Sequence, residues 1–424
     1  MTQATLQPKL ITPVLLAGSA VLLVSFAIRA TFGLFQIPVA DEFGWPRAEF
    51  SMAIAIQNLA WGFGQPIFAA IAEKYGDRFA IVMGAFLYAV GLAVSSLAVT
   101  PESHFLLQVF VGFGIAGTGF GVILAVVGRA SSDENRSMAL GITTSAGSAG
   151  QVVGPPIAAT LLQVMPWQSV FLVFSVVILA ILVVLPVLRP STAAAEAVRA
   201  SREKGVDESL GVVLNRAMRD PSYILIFFGF FSCGYQLGFI TAHFPAFIEE
   251  VCAAIPPDSL IRQLGADSTK DLGGYAIAVI GATNIAGTLL AGWLGKSYSK
   301  KYLLAAIYVA RTIIAAWFIL TPMTLFSVLV FSTVMGSLWL ATVPLTSGLV
   351  AQIFGLKYMG TLYGIVFLSH QLGAFLGVWL GGALYDVYGS YDVVWWVGVG
   401  VGALSAIVHL PVNETARGLK PVAV

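Results

Sequence analysis

The sequence predicts an all-α polytopic membrane protein with twelve transmembrane helices, arranged as two pseudo-symmetric halves of six helices each. Three observations predict this fold. Hydrophobic residues make up 58% of the 424 residues and charged residues only 10%, whereas a soluble domain of this size exposes far more charge. Apolar runs long enough to cross about 30 Å of hydrocarbon recur along the whole chain. A glycine pattern in the first half also returns in the second half at a constant shift.

The twelve apolar runs are predicted to be helices. In lipid the backbone hydrogen bonds close only within helices or closed barrels, and the runs show no strand-like alternation. The first run is too long for the apolar core of a signal peptide, so we expect it to stay in the mature protein. The predicted spans are 12–41, 49–72, 79–99, 103–128, 137–163, 167–187, 221–250, 272–295, 302–320, 324–354, 358–385 and 393–411.

The placement of lysine and arginine predicts the orientation in the membrane. If the N-terminus is inside, 17 of the 22 basic residues fall on cytoplasmic segments, Arg47, Arg262 and Lys270 fall outside, and the remaining two lie within spans. Basic residues concentrate in cytoplasmic loops. We therefore expect a multi-pass protein of the cell inner (plasma) membrane with both termini in the cytoplasm.

One long polar segment divides the chain. Residues 189–220 separate an N-terminal half, 1–188, from a C-terminal half, 221–424. The alanine, glutamate and arginine content of this cytoplasmic linker fits a short surface helix, and a solvated linker fits it equally well.

The two halves match each other in sequence. Gly141, Gly150 and Gly154 recur as Gly364, Gly373 and Gly377, each shifted by 223 residues, while Pro38 recurs as Pro245 at a shift of 207. The shift of 223 also relates the polar segments that follow the second and the eighth span. One shift that serves two separate regions indicates a tandem duplication. Parallel repeats of this kind place the substrate site between the halves, near the bilayer midplane.

The polar segment after the second span carries a recognisable motif. AAIAEKYGDR, residues 69–78, resembles the cytoplasmic loop motif of the major facilitator superfamily, although Ala69 replaces its glycine and Glu73 its aspartate. The resemblance implies that Glu73 and Arg78 gate the cytoplasmic seam between the halves. Their counterparts Lys296 and Lys301 are assigned the same gating role.

The fifth span offers a second motif with two interpretations. Gly141, Gly150, Gly154 and Pro155 resemble a motif of drug-proton antiporters, but the terminal glycine pair of that motif is Ala158-Ala159 here. The alternative is that small residues at these spacings let neighbouring helices approach closely.

A closer resemblance is to the monocarboxylate transporter-like branch, including bacterial relatives of the monocarboxylate and oxalate-formate carriers. It rests on IRATFGLFQIPVADEFGW at 28–45 and on the last three spans, from ATVPLTSGLVAQIFG onward. This resemblance implies that Arg29 is a substrate-linked basic residue. Many members also hold an Asp or Asn and, four residues later, an Arg in the eighth span. Here Asn284 fits the first position, but Thr288 occupies the second.

Arg29 and Arg311 lie deep within apolar spans, whereas no aspartate or glutamate does. A cation in hydrocarbon needs a partner, and a carboxylate can accept two parallel hydrogen bonds from guanidinium. We expect Arg29 to bind an anionic substrate or to act in gating; otherwise it caps carbonyls or snorkels. Arg311 is expected to meet Asn284, Thr288, Ser369 or His370 and to substitute for the missing arginine, or else to be a structural strut.

Further side chains near mid-span are candidates for lining the cavity or carrying a proton. Of the four histidines, His104 and His409 lie at span ends, whereas His243 and His370 are the inner two and titrate near neutral pH, so these two are assigned to proton coupling. Packing is the alternative role for all of these residues. The predicted substrate-binding residues besides the arginines are Asn284, Tyr235, Gln236, Thr118, Phe120 and Trp339.

The sequence holds no nucleophile constellation, no metal-ligand spacing and no phosphate-binding loop. We expect no enzyme activity, no cofactor and no metal. Cys233 and Cys252 lie on one predicted helix, about 28 Å apart at about 1.5 Å per residue, so they cannot form a disulfide. Both cysteines are predicted to be packing residues.

The expected function is secondary active transport of small organic monocarboxylate anions by alternating access. Proton symport is the preferred coupling, with anion exchange as an alternative. The expected partners are the organic acid anion, H⁺ and the lipid bilayer; nucleic acid is not expected, and the monomer is predicted to be functional. A drug/proton antiporter and a non-transporting membrane sensor remain alternatives.

Overall fold

A computed structural model describes residues 9–45, 47–188, 208–263 and 268–416. Most of the predicted linker, 189–207, lies outside the described residues, as do the basic residues Arg417 and Lys420. In the remainder of the linker, Leu210–Ala217 forms a short helix, and the alanine-, glutamate- and arginine-rich stretch on which the helix and linker alternatives depend lies outside the described residues.

In the described part of the chain, twelve long helices form the fold, with six on each side of the linker. Ten segments of the described residues are long and apolar enough to cross a membrane. The two remaining long helices have 29 residues each and carry more polar side chains, yet they complete six per half. The helices are α1 Pro13–Arg29, α2 Arg47–Tyr75, α3 Asp77–Ser95, α4 Pro101–Thr118 continued by Phe120–Ala130, α5 Arg136–Val164, α6 Trp167–Ala180, α7 Pro221–Val251, α8 Thr269–Ser297, α9 Lys300–Leu320, α10 Leu325–Leu338 continued by Thr342–Phe354, α11 Met359–Tyr388 and α12 Asp392–His409.

The repeated glycines are places where helix backbones touch. A Cβ atom added at any of four of them would lie 2.1–2.2 Å from a backbone carbonyl oxygen of a neighbouring helix. α5 therefore packs on α1 in the same way that α11 packs on α7, so the glycine pattern serves close packing. The contacts pair Gly150 with Leu23, Gly154 with Ala27, Gly373 with Phe231 and Gly377 with Tyr235.

The first helix is interrupted where its repeat partner is continuous. α1 ends at Arg29 and is followed by a 3₁₀ turn, Phe32–Phe35, and a short helix, Gln36–Phe43, whereas α7 runs unbroken for 31 residues. The glycine contacts make Leu23 and Ala27 of α1 equivalent to Phe231 and Tyr235 of α7, which is a shift of 208 residues. Farther along the helices, Pro38 and Pro245 are equivalent at a shift of 207 residues. The first helix thus has one extra residue, and the break falls where that residue must be accommodated.

The two halves meet along two lines of helix contact, one of which joins α2 to α11. At the end of the molecule where both halves begin, the Thr361 amide donates to a Glu73 carboxylate oxygen at 3.0 Å, and its hydroxyl donates to the other oxygen. Near the centre of the helices, Gln371 Nε2 donates to the Asn58 carbonyl at 3.1 Å.

The second line joins α5 to α8. At the same end of the molecule, Lys296 Nζ donates to Asn135 Oδ1 at 3.4 Å. Near the centre, Asn284 Nδ2 donates to the Ser148 hydroxyl at 2.9 Å. Among the described residues, hydrogen bonds between the halves occur at this end and near the centre of the helices, and none occurs beyond the centre. The seam is therefore closed at the end that carries Glu73 and Lys296.

Candidate functional site

Arg29 is the last residue of α1 and lies at the seam, beside the break in the helix. Its Nη2 atom donates to Asn58 Oδ1 of α2 at 2.8 Å, and its guanidinium carbon lies 4.7 Å from the centre of the Trp61 ring. The end of α1 favours a cation there, since a helix C-terminus carries partial negative charge. The side chain is partly exposed.

The charge of Arg29 is not neutralised within the described part of the chain. None of the ion pairs found among those residues includes Arg29, and its Nε atom is buried there with no hydrogen-bond partner. A neutral amide and an aromatic face hold the guanidinium in place, and donors remain for an added anion. Guanidinium geometry suits a carboxylate, which accepts two parallel N–H bonds.

The Trp61 ring that contacts this cation belongs to an aromatic cluster with rings from both halves. The Trp61 ring centre lies 5.5 Å from Phe26 and 4.8 Å from Phe367 of α11, and the Phe120 ring lies 6.1 Å from Phe367. Phe120, a predicted lining residue, is therefore part of an aromatic cluster at the seam. Such a surrounding provides an apolar body with one cationic anchor, which is typical of sites for small organic ligands.

A chain of polar contacts crosses the seam from Arg29 into the other half. Asn58, which accepts from Arg29, also accepts from Gln371 through its backbone carbonyl. The side-chain carbonyl of Gln371 lies 3.2 Å from His370 Nδ1, and the His370 ring stacks on Phe367 at 5.2 Å. His370 is thus connected to the Arg29 site through two amide side chains. The structure brings these two predicted functional residues together.

Arg311 occupies a separate and fully buried position in the C-terminal half. Its Nη2 donates to the carbonyls of Leu338, at 3.0 Å, and of Trp339, and its Nη1 lies 3.4 Å from Gln236 Oε1. These carbonyls form the C-terminal end of the first segment of α10, which favours a cation. The contacts are those of the strut that we considered as the alternative.

The partners expected for Arg311 bond elsewhere in this conformation. Asn284 Oδ1 accepts the Leu340 amide at 2.9 Å and so satisfies a donor freed by the break in α10. Thr288 bonds to Ser145 of α5, and the Ser369 hydroxyl donates to the Phe227 carbonyl at 2.6 Å. Sequence reasoning missed this arrangement because it depends on the break in α10, which the apolar pattern does not mark.

The other predicted lining residues lie within single halves. The Thr118 hydroxyl bonds to Ser25 at 2.8 Å, Gln236 Nε2 donates to the Gly398 carbonyl at 3.1 Å, and Tyr235 Oη lies 3.5 Å from the Val394 carbonyl. Trp339 is nearly buried and contributes its carbonyl to Arg311. In this conformation, therefore, none of these four residues is joined to the Arg29 site by the contacts described for it.

His243 lies in the half of α7 that is farther from the closed end. Its Nε2 atom is 2.9 Å from the Val378 carbonyl of α11, and its ring packs against Phe239 and Tyr391 at 5.8 and 5.4 Å. It is far along the chain from the Arg29 cluster and shares none of the contacts described for it.

The four predicted gating residues divide into two groups. Glu73 and Lys296 bond across the seam. Arg78 instead donates to the carbonyls of Leu188 and Pro186 in its own half, at 3.2 and 2.9 Å, and Lys301 donates to the Leu410 carbonyl at 3.1 Å. Our expectation that Arg78 crosses the seam is therefore not met in this conformation, because its side chain turns toward the end of the sixth helix.

Sequence reasoning also missed Asn58, Trp61 and Gln371. A signal was present, since Gln57, Asn58, Trp61 and Gln65 recur at helical spacing in an otherwise apolar span. Polar residues in a membrane helix face the protein interior. No group of three metal-ligating side chains occurs among the described residues.

Known proteins resemble this chain over nearly its full length. A family model described as Major Facilitator Superfamily matches residues 17–252 and 251–423. An uncharacterized MFS-type transporter, YcxA of Bacillus subtilis, is 25% identical over 401 residues, which cover 91% of this chain and 90% of that protein. Monocarboxylate transporter 13 of Bos taurus is 24% identical over 383 residues, 86% of this chain and 80% of that protein.

Two further similarities concern another class of relative and the fold. Multidrug resistance protein MdtH of Yersinia enterocolitica is 25% identical over 402 residues, 92% of this chain and 91% of that protein. The solved structure of the proton:xylose symporter XylE superimposes with a TM-score of 0.74 at 14% identity, covering 95% of this chain and 97% of that one. At this identity the superposition shows the fold alone.

Proposed function

The chain belongs to the Major Facilitator Superfamily, and from that premise we propose that it is a secondary active transporter of small organic monocarboxylate anions that works by alternating access. The single observation that carries the proposal is the Arg29 guanidinium. It lies at the seam between the halves, is partly exposed and pairs with no carboxylate among the described residues. An intramembrane charge marks a substrate pathway by default.

The surroundings of Arg29 support a particular class of anion. The rings of Phe26, Trp61, Phe120 and Phe367 form a buried apolar cluster that reaches the guanidinium through Trp61, and Asn58 is the described polar neighbour of the guanidinium. A carboxylate with a hydrocarbon or aromatic tail fits one cation beside apolar walls, whereas a sugar or a dicarboxylate needs more polar anchors. The similarity to a protein named monocarboxylate transporter 13 supports the same class.

The described conformation suits the uptake side of such a cycle. With both termini in the cytoplasm, the seam closed by Glu73 and Lys296 is the cytoplasmic one, and the carrier faces outward. The carboxylate binds Arg29 from outside, and the halves then rock about the site so that the cytoplasmic seam opens. Loss of the Glu73 and Lys296 contacts is part of that change. We propose the inner (plasma) membrane as the location.

Proton symport is the preferred coupling because it offsets the charge of the anion. His370 connects to Arg29 through Gln371 and Asn58, so a proton on His370 and an anion on Arg29 sense each other through a short polar chain. Anion exchange uses the same site without the proton. His243, on the outer part of α7, is the second candidate for proton transfer.

The drug/proton antiporter is the second candidate function, supported by the similarity to MdtH. The glycine motif that suggested it is accounted for by helix packing, since Gly150 and Gly154 contact α1. Export of cationic drugs also requires an anionic site, and the described residues place a cation at the seam. A membrane sensor on this scaffold would bind the same acids without moving them.

Uptake into proteoliposomes tests the proposal. The purified protein is reconstituted and offered a panel of radiolabelled monocarboxylates, with and without an inward proton gradient. We expect saturable uptake of one or more acids, stimulated by the gradient. A cationic drug series run in the opposite direction tests the antiporter. Export of cations with no uptake of any acid would overturn the monocarboxylate proposal, and binding of acids without uptake would indicate the sensor.

A further inference from the structure

Three side chains on one face of α2 form a line that begins at the Arg29 site. Asn58 and Trp61 contact the guanidinium, and Gln65 follows one turn farther along the helix. Residues spaced by three, four and seven positions share a helix face. Gln65 is fully buried, and its Oε1 atom accepts from Trp61 Nε1 at 2.6 Å. Gln65 therefore bonds to the ring against which the cation packs.

The indole fixes which way the Gln65 amide is turned. An indole nitrogen is only a donor, so it must meet the carbonyl oxygen of the amide. The amide nitrogen, Nε2, is buried and has no hydrogen-bond partner among the described residues. A buried donor without a partner lowers the stability of the fold. Stability alone therefore does not explain a glutamine at this position, whereas the bond to Trp61 does.

The break in α4 makes room for this amide. The first segment of α4 ends at Thr118 and the second begins at Phe120, with Gly119 extended between them. A Cβ atom added at Gly121 would lie 2.2 Å from Gln65 Nε2, and its three nearest atoms would all belong to the Gln65 side chain. A methyl group there would displace the flexible amide rather than the helices. The bare backbone at Gly121 thus allows Gln65 to stay against Trp61.

The internal repeat shows that these positions of the helix address a break in a neighbour. Trp61 stands 223 residues before Asn284, the shift that relates the repeated glycines. In the C-terminal half, Asn284 Oδ1 accepts the Leu340 amide, which the break in α10 frees. In the N-terminal half, Trp61 Nε1 lies 3.3 Å from the Cβ position of Gly119, beside the break in α4. There the indole donor is used within α2, for Gln65.

The position of the Trp61 ring decides where the Arg29 guanidinium lies. The guanidinium has two described supports, the bond to Asn58 and the face of this ring. The ring centre is 4.7 Å from the guanidinium carbon, within the distance of about 6 Å over which a cation and an aromatic face attract each other. A carboxylate accepts two parallel bonds only from a guanidinium whose plane is held in place. A rotated indole would therefore misdirect the donors even though the charge remained.

We propose that Gln65 is a positioning residue of the Arg29 site. Its carbonyl oxygen holds the Trp61 indole in the orientation that supports the guanidinium, and this raises the affinity for the carboxylate. Without the acceptor, a buried indole N–H is left unpaired, and the ring turns toward another acceptor. Gln65 acts through Trp61 and makes no contact with the anion. The positioning of Trp61 stands without the proposed function, whereas its effect on affinity rests on it.

Nuclear magnetic resonance of the indole N–H groups tests the positioning directly. The chain has nine tryptophans, and Trp61→Phe identifies the Trp61 resonance by its absence from the spectrum. We expect Gln65→Leu to move that resonance upfield, because the hydrogen bond is lost. Gly121→Ala should do the same, because its methyl group displaces the Gln65 amide. A Trp61 resonance that stays unchanged in both variants would overturn the proposal.

The effect on affinity is measured as the apparent KM of acid uptake into proteoliposomes. We expect Gln65→Leu and Gly121→Ala to raise KM about tenfold, the effect of losing one hydrogen bond, and to leave the maximal rate near that of the wild type. In a Trp61→Phe background no N–H needs an acceptor, so Gln65→Leu should change KM by less than about twofold. Equal fold-changes in the two backgrounds would show that Gln65 acts by packing alone and would overturn the proposal.

Gln108→Leu is the matched control. Gln108 is also buried in the N-terminal half and accepts from Gln57 Nε2 at 2.7 Å, but its described contacts include neither Trp61 nor Arg29. We expect this variant to lower the melting temperature and to leave KM unchanged. A rise in KM equal to that of Gln65→Leu would overturn the proposal, since any buried glutamine would then have the same effect. If the wild type takes up no acid, the proposed function fails, and the indole resonance still decides whether Gln65 holds Trp61.

Discussion

Replacement of Arg29 by glutamine is the perturbation that the structure makes most informative. The variant removes the cation that contacts Asn58 at 2.8 Å and leaves a shorter, neutral amide in its place. A hydrogen bond to a charged group contributes about 1.5–3 kcal/mol. If a carboxylate accepts two such bonds from the guanidinium, the loss is about 3–6 kcal/mol, which corresponds to weaker binding by a factor of roughly 100 to 20,000.

The fold of this variant should be preserved. Arg29 makes one described side-chain hydrogen bond and a cation–π contact with Trp61, and a contact of that kind contributes about 0.5–2 kcal/mol. We therefore expect a normal melting temperature together with uptake that does not saturate at accessible concentrations. The assay is initial uptake rate against acid concentration in proteoliposomes.

Two further variants complete the measurement. Arg219→Gln makes the same change at an exposed position outside the seam and should leave uptake unchanged. Arg29→Lys retains the charge but loses the paired donors, so it should fall between the wild type and the glutamine variant. Wild-type affinity and rate in Arg29→Gln would refute the reasoning, because the central cation would then be dispensable for the anion.

Two other predictions concern the conformational cycle and the packing. Glu73→Gln should weaken the seam, because a neutral amide replaces the carboxylate that accepts both bonds from Thr361. A loss of about 1.4 kcal/mol corresponds to a tenfold rise in the cytoplasm-open population. Spin-label distances across that end measure this population, and an unchanged distance distribution would contradict the prediction. Gly377→Ala should lower the melting temperature, because the added Cβ would lie 2.2 Å from the Tyr235 carbonyl oxygen, and overpacking costs about 1–3 kcal/mol. The control variant Gly382→Ala places its Cβ in open space and should leave the melting temperature unchanged. Equal melting temperatures for the two variants would refute the packing role.

Much of the architecture could be predicted from the chain alone. Apolar run lengths predicted twelve spans, and the comparisons and the fold bear out that class. α2 and α5 are less apolar than the other spans, because they carry polar and small side chains that face protein rather than lipid. The repeated glycines predicted equivalent packing in both halves, and their contacts with carbonyls of α1 and α7 explain why the spacing recurs.

The candidate site was only partly predictable, for physical reasons. Charge in an apolar run identifies Arg29 and Arg311 as unusual, but it does not indicate which of them lies at the seam. That distinction depends on the breaks in α1 and α10, which place Arg29 beside Asn58 and direct Arg311 to the Trp339 carbonyl. Hydropathy does not resolve such breaks because, apart from Arg29 itself, the residues at 30–35 and 339–341 are apolar or small. The neighbour Trp61 could have been found from polar spacing along α2.

The most direct test of the central claim compares a carboxylate with its neutral and cationic isosteres at the Arg29 site. Benzoate, benzamide and benzylamine have the same ring and nearly the same shape, and differ in the charge of the group that would face the guanidinium. Each is measured as a competitor of labelled acid uptake in wild type and in Arg29→Gln. The account predicts that benzoate competes in the wild type, that the amide and the amine do not, and that the preference disappears in Arg29→Gln. Equal or stronger competition by the amide or the amine in the wild type would contradict an anion site at the seam.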